Sequence, residues 1–86
     1  MAKMQEVPRK TSKDPIGVLF GATVRRLRER HGWTQEQLAE TAEMSATYIG
    51  FIERGENVPT LTIIFRLADA LGVTPAELIA EAAKRR

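Results

Sequence analysis

The stretch that most constrains this chain runs from Thr34 to Gly55, where two short helical patterns are joined by a connector of a few residues. Thr34 is a favoured N-cap residue, and Gln37 stands three positions later, which is the spacing of a capping box. Ser45 is a second N-cap candidate, and apolar residues follow it at helical spacing until Gly55, a residue suited to ending a helix. We therefore predict a helix of about two turns after Thr34 and a second helix from about Ser45 to Arg54.

Two short helices joined in this way cross at a steep angle. A connection of about three to four residues lets the second helix project from the body of the domain and enter a DNA major groove. The spacing is therefore consistent with a helix-turn-helix motif. An ordinary pair of antiparallel helices inside a bundle fits the same periodicity, so the spacing alone leaves both interpretations open.

Several further motifs stand at consistent offsets along the chain: WTQEQLA at 33–39, Ser45, Ile49, IERG at 52–55, PTL at 59–61 and LADALGV at 67–73. Together they resemble the Cro and phage-repressor type of helix-turn-helix protein, the XRE family, over about residues 16–80. The resemblance implies an all-α fold, a compact five-helix bundle of the phage-repressor DNA-binding domain type. The chain departs from the family pattern at Glu43, where the family's turn usually carries a glycine. A left-handed backbone conformation at a residue other than glycine costs about 1 kcal/mol.

One further helix is predicted before this pair. Asp14 and Pro15 form an N-cap followed by a first-turn proline, and Gly32 is placed to end the helix. Gly17 and Gly21 lie four residues apart, a spacing consistent with the close approach of another helix or with a looser first turn. The predicted buried stripe comprises Ile16, Leu19, Phe20, Val24 and Leu27.

Two more helices are predicted after the pair. Thr60 caps the first, which Gly72 ends, and Thr74 with Glu77 gives a capping-box spacing for the second. The apolar face predicted for the last helix comprises Leu78, Ile79 and Ala82. The predicted organisation is a flexible tail over residues 1–14, one helix-turn-helix domain over 15–83 and a basic end over 84–86.

Length and composition narrow the possible functions. The chain has 86 residues, room for one domain, and its 43% hydrophobic and 28% charged content is that of an ordinary globular protein. It has no run of about 20 apolar residues and no signal-peptide region, so we expect a cytoplasmic protein with no membrane partner. With no cysteine and one histidine, His31, no metal site is expected.

The sequence offers little for catalysis. There is no histidine paired with a carboxylate, no glycine-rich phosphate loop and no nucleophile beside a base, so we expect no enzyme activity, no cofactor and no small-molecule ligand. The net charge of +2 permits nucleic-acid binding without demonstrating it. Arginines crowd residues 25–30, a run that solvated surface also explains.

Candidate DNA-contacting residues lie on both helices of the motif. The start of the first helix presents backbone N–H groups to a phosphate, with Thr34 and Gln35 as side-chain donors, and the resemblance implies the same role for Gln35. In the second helix Ile49 and Ile52 are expected to face the core. The positions expected to face the groove are Ser45, Ala46, Thr47, Tyr48, Gly50, Phe51 and Arg54.

The resemblance implies base reading at Ala46, Thr47 and Phe51, and phosphate contacts at Tyr48 and Arg54. None of the three base-reading positions carries an Arg, Asn or Gln, whose bidentate hydrogen bonds discriminate bases by about 1 to 3 kcal/mol each. We therefore expect specificity to depend on DNA shape, on the terminal arms or on dimer spacing. Phe51 has two alternatives, packing against the following loop or contacting a protein partner.

The resemblance also implies an ion pair between Arg28 and Glu53 that ties the first predicted helix to the recognition helix. A pair of this kind holds geometry more than it adds stability. The alternative is two unrelated surface charges.

These features predict a sequence-specific regulator of transcription that binds double-stranded DNA as a homodimer and acts as a repressor rather than an activator. Half-sites about one helical turn apart require two copies, whose expected interface is the last helix with the loop at Val58 and Pro59 and the apolar residues from Val73 to Ile79. The alternatives are an antitoxin or a restriction-modification controller of the same fold. A protein-interaction module that kept the fold without DNA binding is a third.

Overall fold

The computed structural model describes residues 13–86, and these form five α-helices without a β-strand. The helices are α1 (Pro15–Arg30), α2 (Gln35–Ala42), α3 (Ala46–Glu53), α4 (Leu61–Leu71) and α5 (Pro75–Ala83). The prediction of an all-α, five-helix bundle is confirmed. The tail predicted for residues 1–14 lies outside the described residues except for Lys13 and Asp14.

The helix starts follow local side-chain chemistry. The Asp14 carboxylate accepts hydrogen bonds from the N–H groups of Ile16 and Gly17. The other four helices have a hydroxyl N-cap that accepts from the N–H three residues later: Thr34, Ser45, Thr60 and Thr74. Two of these caps are completed as capping boxes, by Gln37 for α2 and by Glu77 for α5. Each cap satisfies a backbone donor that the first turn of a helix leaves without an intrahelical partner.

Left-handed residues end three helices and form the turn of the motif. Gly32, Gly55 and Gly72 follow α1, α3 and α4 with φ of 75°, 76° and 78°. Glu43 connects α2 to α3 with φ 58° and ψ 51°, and it is the one non-glycine with positive φ between residues 13 and 86. Glu43 therefore adopts the left-handed conformation of the turn, although the family usually has a glycine there.

The core is built from all five helices. Its fully buried side chains include Val24, Leu38, Ile49, Ile52, Leu67 and Leu78. Trp33 packs against this core from the connection between α1 and α2. The His31 ring stacks on Trp33 with 4.2 Å between centroids, and its Nε2 donates to the Leu71 carbonyl at 2.9 Å. These contacts fix the end of α1 against the end of α4.

Gly21 sets how closely α1 approaches the end of α3. A Cβ at this position would overlap the carbonyl oxygen of Ile52 and lie 2.9 Å from that of Glu53. The absence of a side chain therefore lets α1 lie against the backbone of α3, which is the first of the two alternatives that the glycine spacing left open. Gly17 packs instead on the side chain of Val58, in the loop between α3 and α4.

One predicted core residue is exposed. Ile16 is 56% exposed, so the prediction that it is buried is wrong. Ile79, which the sequence placed on the apolar face of the last helix and in the expected dimer interface, is 46% exposed. Both side chains line an open apolar groove of about 180 Å³ between α1 and α5. Leu19, also predicted as core, is half-buried and lines the same groove.

Candidate nucleic-acid interface

The interface is anchored by a buried ion pair between α1 and α3. Arg28 donates to both carboxylate oxygens of Glu53, from Nε at 2.7 Å and from Nη2 at 3.0 Å. The two side chains are only 11% and 3% exposed, and Arg28 Nη1 also donates to the Trp33 carbonyl at 2.7 Å. The hydrogen bonds to Glu53 raise the pKa of Arg28 above its usual value, so the guanidinium stays charged. A paired, hydrogen-bonded charge of this kind is what permits burial.

Gln35 extends this network to α2. Its Nε2 donates to Glu53 Oε1 at 3.0 Å, so one carboxylate accepts from residues on α1 and α2. The resemblance implied the Arg28–Glu53 pair but gave no indication of the third partner. The start of α2 is thereby fixed beside α3. Thr34, the preceding residue, is exposed, and its hydroxyl accepts the capping hydrogen bond from Gln37.

The outward face of α3 carries four exposed candidate residues and two half-buried ones. The exposed ones are Ser45, Thr47, Phe51 and Arg54, and the half-buried ones are Ala46 and Tyr48. Ile49 and Ile52 are fully buried on the opposite side. A helix anchored on one face and exposed on the other has the orientation that reading a groove requires.

Gly50 is buried, because the side chains of Gln35 and Arg54 lie over it. A DNA contact by Gly50 stays a prediction. Helical spacing places Gly50 on the outer side of α3, but spacing does not show which neighbouring side chains cover a residue that has none.

Tyr48 joins α3 to the loop that follows it. Its ring packs against the core, while its hydroxyl donates to Asn57 Oδ1 at 3.0 Å. Asn57 was absent from the predicted set, and its residue type indicated only a turn. The bond leaves the Asn57 amide group, a donor, beside the exposed face of α3.

Arg54 is held by two neighbours at the end of α3. Its Nε and Nη2 each donate to a carboxylate oxygen of Glu56 at 3.2 Å, and its guanidinium carbon lies 5.3 Å from the centroid of the Phe51 ring. The hydrogen bond from Arg54 lowers the pKa of Glu56 below its usual value. Lys13 Nζ donates to the Arg54 carbonyl at 2.7 Å and adds a cation at the same place. Glu56 was absent from the predicted set, and Lys13 belonged to the predicted N-terminal tail.

Other kinds of site find little support in the described part of the chain. Residues 13–86 contain no group of three or more His, Cys, Asp or Glu side chains arranged to hold a metal ion. None of the five helices has the length and apolar character needed to cross a membrane.

Comparison with known proteins identifies the arrangement. Residues 24–78, from the middle of α1 into α5, match the helix-turn-helix family. The chain belongs to the helix-turn-helix family. In this family assignment α2, the turn at Glu43 and α3 form the motif itself.

Individual relatives of this helix-turn-helix chain match most of its length. It is 39% identical over 61 residues to an uncharacterized HTH-type transcriptional regulator from Sinorhizobium fredii, covering 71% of this chain and 79% of that protein. It is 40% identical over 65 residues to the control protein C.BamHI from Bacillus amyloliquefaciens, covering 74% and 80%. Among solved structures, the restriction-modification controller protein C.AhdI from Aeromonas hydrophila has a TM-score of 0.70 and 40% identity, covering 72% and 94%.

Proposed function

We propose that this chain is a sequence-specific transcriptional regulator that places α3 in the major groove of double-stranded DNA. The observation that carries the proposal is the anchoring of α3, whose inner face is fixed by Ile49, Ile52 and Glu53 while its outer face is exposed. The regulator and controller relatives at about 40% identity support the same function. Repression by occupancy needs only binding, and such a protein would act in the cytoplasm.

Positioning and reading are divided between the two helices of the motif. The start of α2 supplies backbone N–H groups and the Gln35 amide for phosphates. On α3, the Thr47 hydroxyl can bond a base edge, while Ala46 and Phe51 can contact thymine methyl groups. Few base-specific hydrogen bonds result, so discrimination would depend strongly on the shape of the DNA.

A homodimer fits both the DNA geometry and the exposed apolar surface. The interface predicted from the sequence includes Pro59 and Leu78, which are buried, so that surface is smaller than expected. An apolar surface that shares Val58 with the predicted interface, the α4 patch, consists of Val58, Leu61 and Phe65, which are 56%, 69% and 51% exposed. We propose that a second copy covers the α4 patch, because it begins directly after the loop that follows α3. A two-fold axis there would bring two recognition helices to one side of a duplex.

The proposed function involves no catalytic group, cofactor or metal. The Arg28–Glu53–Gln35 network is the most buried set of polar side chains near the interface, and each member already has a hydrogen-bond partner. We infer from this that the network sets geometry and performs no chemistry.

The test is selection of bound duplexes from a random DNA pool at two salt concentrations. We expect enrichment of a palindrome with half-sites about one helical turn apart. Thr47→Ala and Phe51→Ala should alter or abolish the enriched sequence. Thr41→Ala, a matched change at an exposed threonine near the end of α2 that is assigned neither to DNA nor to the dimer, should leave it unchanged.

Failure to enrich any duplex at low salt would contradict the proposal and favour a protein-interaction module that binds through Phe51. Salt separates the two functions, because neutralising DNA phosphates makes affinity fall steeply with ionic strength. A restriction-modification controller or an antitoxin would be a narrower form of the same regulator. An endonuclease or toxin gene beside this gene would identify either form.

A further inference from the structure

A cluster of charged side chains lies where α1 and α5 meet. Arg30 of α1 lines an open hollow together with Glu81, Lys84 and Arg85. The Nη2 atom of Arg26, also on α1, lies 3.9 Å from Glu81 Oε1. These five residues comprise four cations and one carboxylate, and we call them the α1–α5 cluster.

Glu81 neutralises the α1–α5 cluster only in part. Lys84 Nζ donates to Glu81 Oε2 at 3.2 Å, and this hydrogen bond lowers the pKa of Glu81 below its usual value. The nearby charges of Arg30 and Arg26 act in the same direction. Two nitrogens of Arg26, Nε and Nη2, are buried without a hydrogen-bond partner among residues 13–86. The cluster therefore holds one carboxylate in its charged form and keeps an excess of positive charge.

The α1–α5 cluster lies on the side of α1 opposite the recognition helix. Arg28 faces α3, where it binds Glu53. Arg26 and Arg30 each stand two residues from Arg28, which is about 200° around the helix. A duplex held by α3 would therefore lie across the domain from the cluster, and a subunit on DNA would keep the cluster accessible.

Negative charges divide this surface into separate cationic positions. Glu81 stands within the cluster, and Glu29 on the same end of α1 pairs with Arg25 at 3.0 Å. A continuous row of phosphates would meet both carboxylates. A short acidic segment of protein can instead place its side chains between them. The surface therefore suits separate carboxylates better than it suits a nucleic-acid backbone.

We propose that the α1–α5 cluster is a docking surface for an acidic segment of a partner protein. The inference goes beyond the proposed DNA-binding function, because no residue of the cluster belongs to the DNA-facing surface. Runs of acidic residues commonly act as interaction tails, and guanidinium groups bind carboxylates through paired hydrogen bonds. Glu81 shows where such a carboxylate fits, since it already lies between Lys84 and Arg26.

The test measures binding of a labelled peptide of about ten glutamates to the full chain by fluorescence anisotropy, without DNA. We expect binding that weakens as salt is added, because exposed charge pairs are screened. Arg30→Gln and Arg85→Gln should each weaken it by about three- to fivefold, the effect of losing an exposed ion pair. Arg66→Gln removes the same charge from an exposed residue of α4 and should change affinity by less than about twofold.

Glu81→Gln gives a second test with the opposite sign. It removes the carboxylate that competes with the peptide for Lys84 and Arg26, so peptide binding should become about threefold tighter. Glu40→Gln is the matched control, because it removes an exposed carboxylate from α2. Its affinity for the peptide should equal that of the wild type. Circular dichroism checks that each variant keeps its helices.

Several outcomes would overturn the inference. One is no peptide binding at low salt, and another is equal affinity of the wild type and the double variant Arg30→Gln, Arg85→Gln. A third is a loss of affinity of that double variant for the selected duplex, with a salt slope lower by about two phosphate contacts, because the cluster would then face DNA. Failure to select any duplex would contradict the proposed function alone, since the peptide is titrated without DNA.

Discussion

Glu53 is the residue on which the geometry of the interface depends. It is nearly fully buried, yet it accepts hydrogen bonds from Arg28 on α1 and Gln35 on α2 while it lies on α3 itself. Burying both charges requires their removal from water, which offsets much of their mutual attraction. The main effect of the network is therefore to fix three helices in one arrangement.

Glu53→Ala should lower the free energy of unfolding by about 3 to 5 kcal/mol, because it leaves the buried Arg28 guanidinium without its partner. Glu29→Ala is the control, since it removes the carboxylate of an exposed pair with Arg25, in which the side chains are 64% and 53% exposed. That change should cost less than about 1 kcal/mol. Urea unfolding measures both. Equal losses for the two variants would show that the buried pair is no more important than a surface one.

Glu56 is an acidic residue on a surface proposed to bind a polyanion. Its carboxylate occupies two of the three Arg54 nitrogens. Glu56→Gln removes a negative charge that repels DNA and weakens the pairing that holds Arg54. We expect tighter binding and a steeper salt dependence, measured by titration of a labelled duplex. Glu81→Gln is the matched control, because Glu81 also pairs with a cation, Lys84, but lies on α5. An equal gain in the control would indicate an effect of net charge alone.

The same carboxylate predicts a pH dependence with a defined sign. Arg54 lowers the pKa of folded Glu56 below the ordinary value of 4.5. The pairing therefore contributes to stability above pH 4.5 and is lost as the pH falls through the lower, folded value. Glu56→Gln should remove this part of the acid dependence of unfolding, which thermal unfolding between pH 6 and pH 3 would detect. Unchanged acid dependence in the variant would contradict the prediction.

At the scale of the helices, the sequence predicted where helices begin but did not predict which of their residues neighbouring elements bury. The caps at Thr34 and Thr74 depend on residues three positions apart, so the helix starts could be identified from the sequence. The exposure of Ile16 and Ile79 and the burial of Gly50 depend on where a third element lies. Hydrophobic periodicity defines a face but does not show how far the neighbouring helix extends along it.

The turn between α2 and α3 keeps a left-handed residue that carries a side chain. Glu43→Gly should raise the free energy of unfolding by up to about 1 kcal/mol, because glycine adopts this conformation without steric cost. Gly72→Ala is the reverse substitution and serves as the control, since Gly72 has φ 78° and a Cβ added there would meet no atom within 4 Å. That variant should be less stable by a similar amount. Urea unfolding measures both, and destabilisation by Glu43→Gly would show that the Glu43 side chain makes a contribution larger than its strain.

At the scale of the whole molecule, folding pairs several arginines with carboxylates, so their charges partly cancel. Glu29 pairs with Arg25, Glu53 with Arg28 and Glu56 with Arg54. The arginine-rich segment from 25 to 30 therefore supplies structure as well as surface charge. A count of basic residues could not have located the proposed DNA-facing surface, because it does not show which cations are paired with carboxylates.

Two exposed apolar surfaces of residues 13–86 lie away from α3, and they make different predictions about the dimer. One is the α4 patch of Val58, Leu61 and Phe65, and the other is the groove between α1 and α5 at Ile16 and Ile79. The α4 patch is contiguous with the loop after α3, so we assign the dimer to it. Phe65→Glu should then yield a monomer in sedimentation equilibrium. Its affinity for a two-half-site duplex should fall by about 100-fold or more, because the second binding event is no longer intramolecular.

Affinity for a single half-site separates loss of the dimer from damage to the recognition surface. Phe65→Glu should bind a half-site duplex as the wild-type subunit does, because residue 65 lies on α4 and outside the motif formed by α2 and α3. Ile79→Glu introduces the same charge at the other apolar surface and should remain dimeric. The opposite pattern, a monomer from Ile79→Glu and a dimer from Phe65→Glu, would place the two-fold axis at α5, one of the two parts of the interface predicted from the sequence. The recognition helices would then be separated by a different distance, and the spacing of the selected half-sites would report it independently.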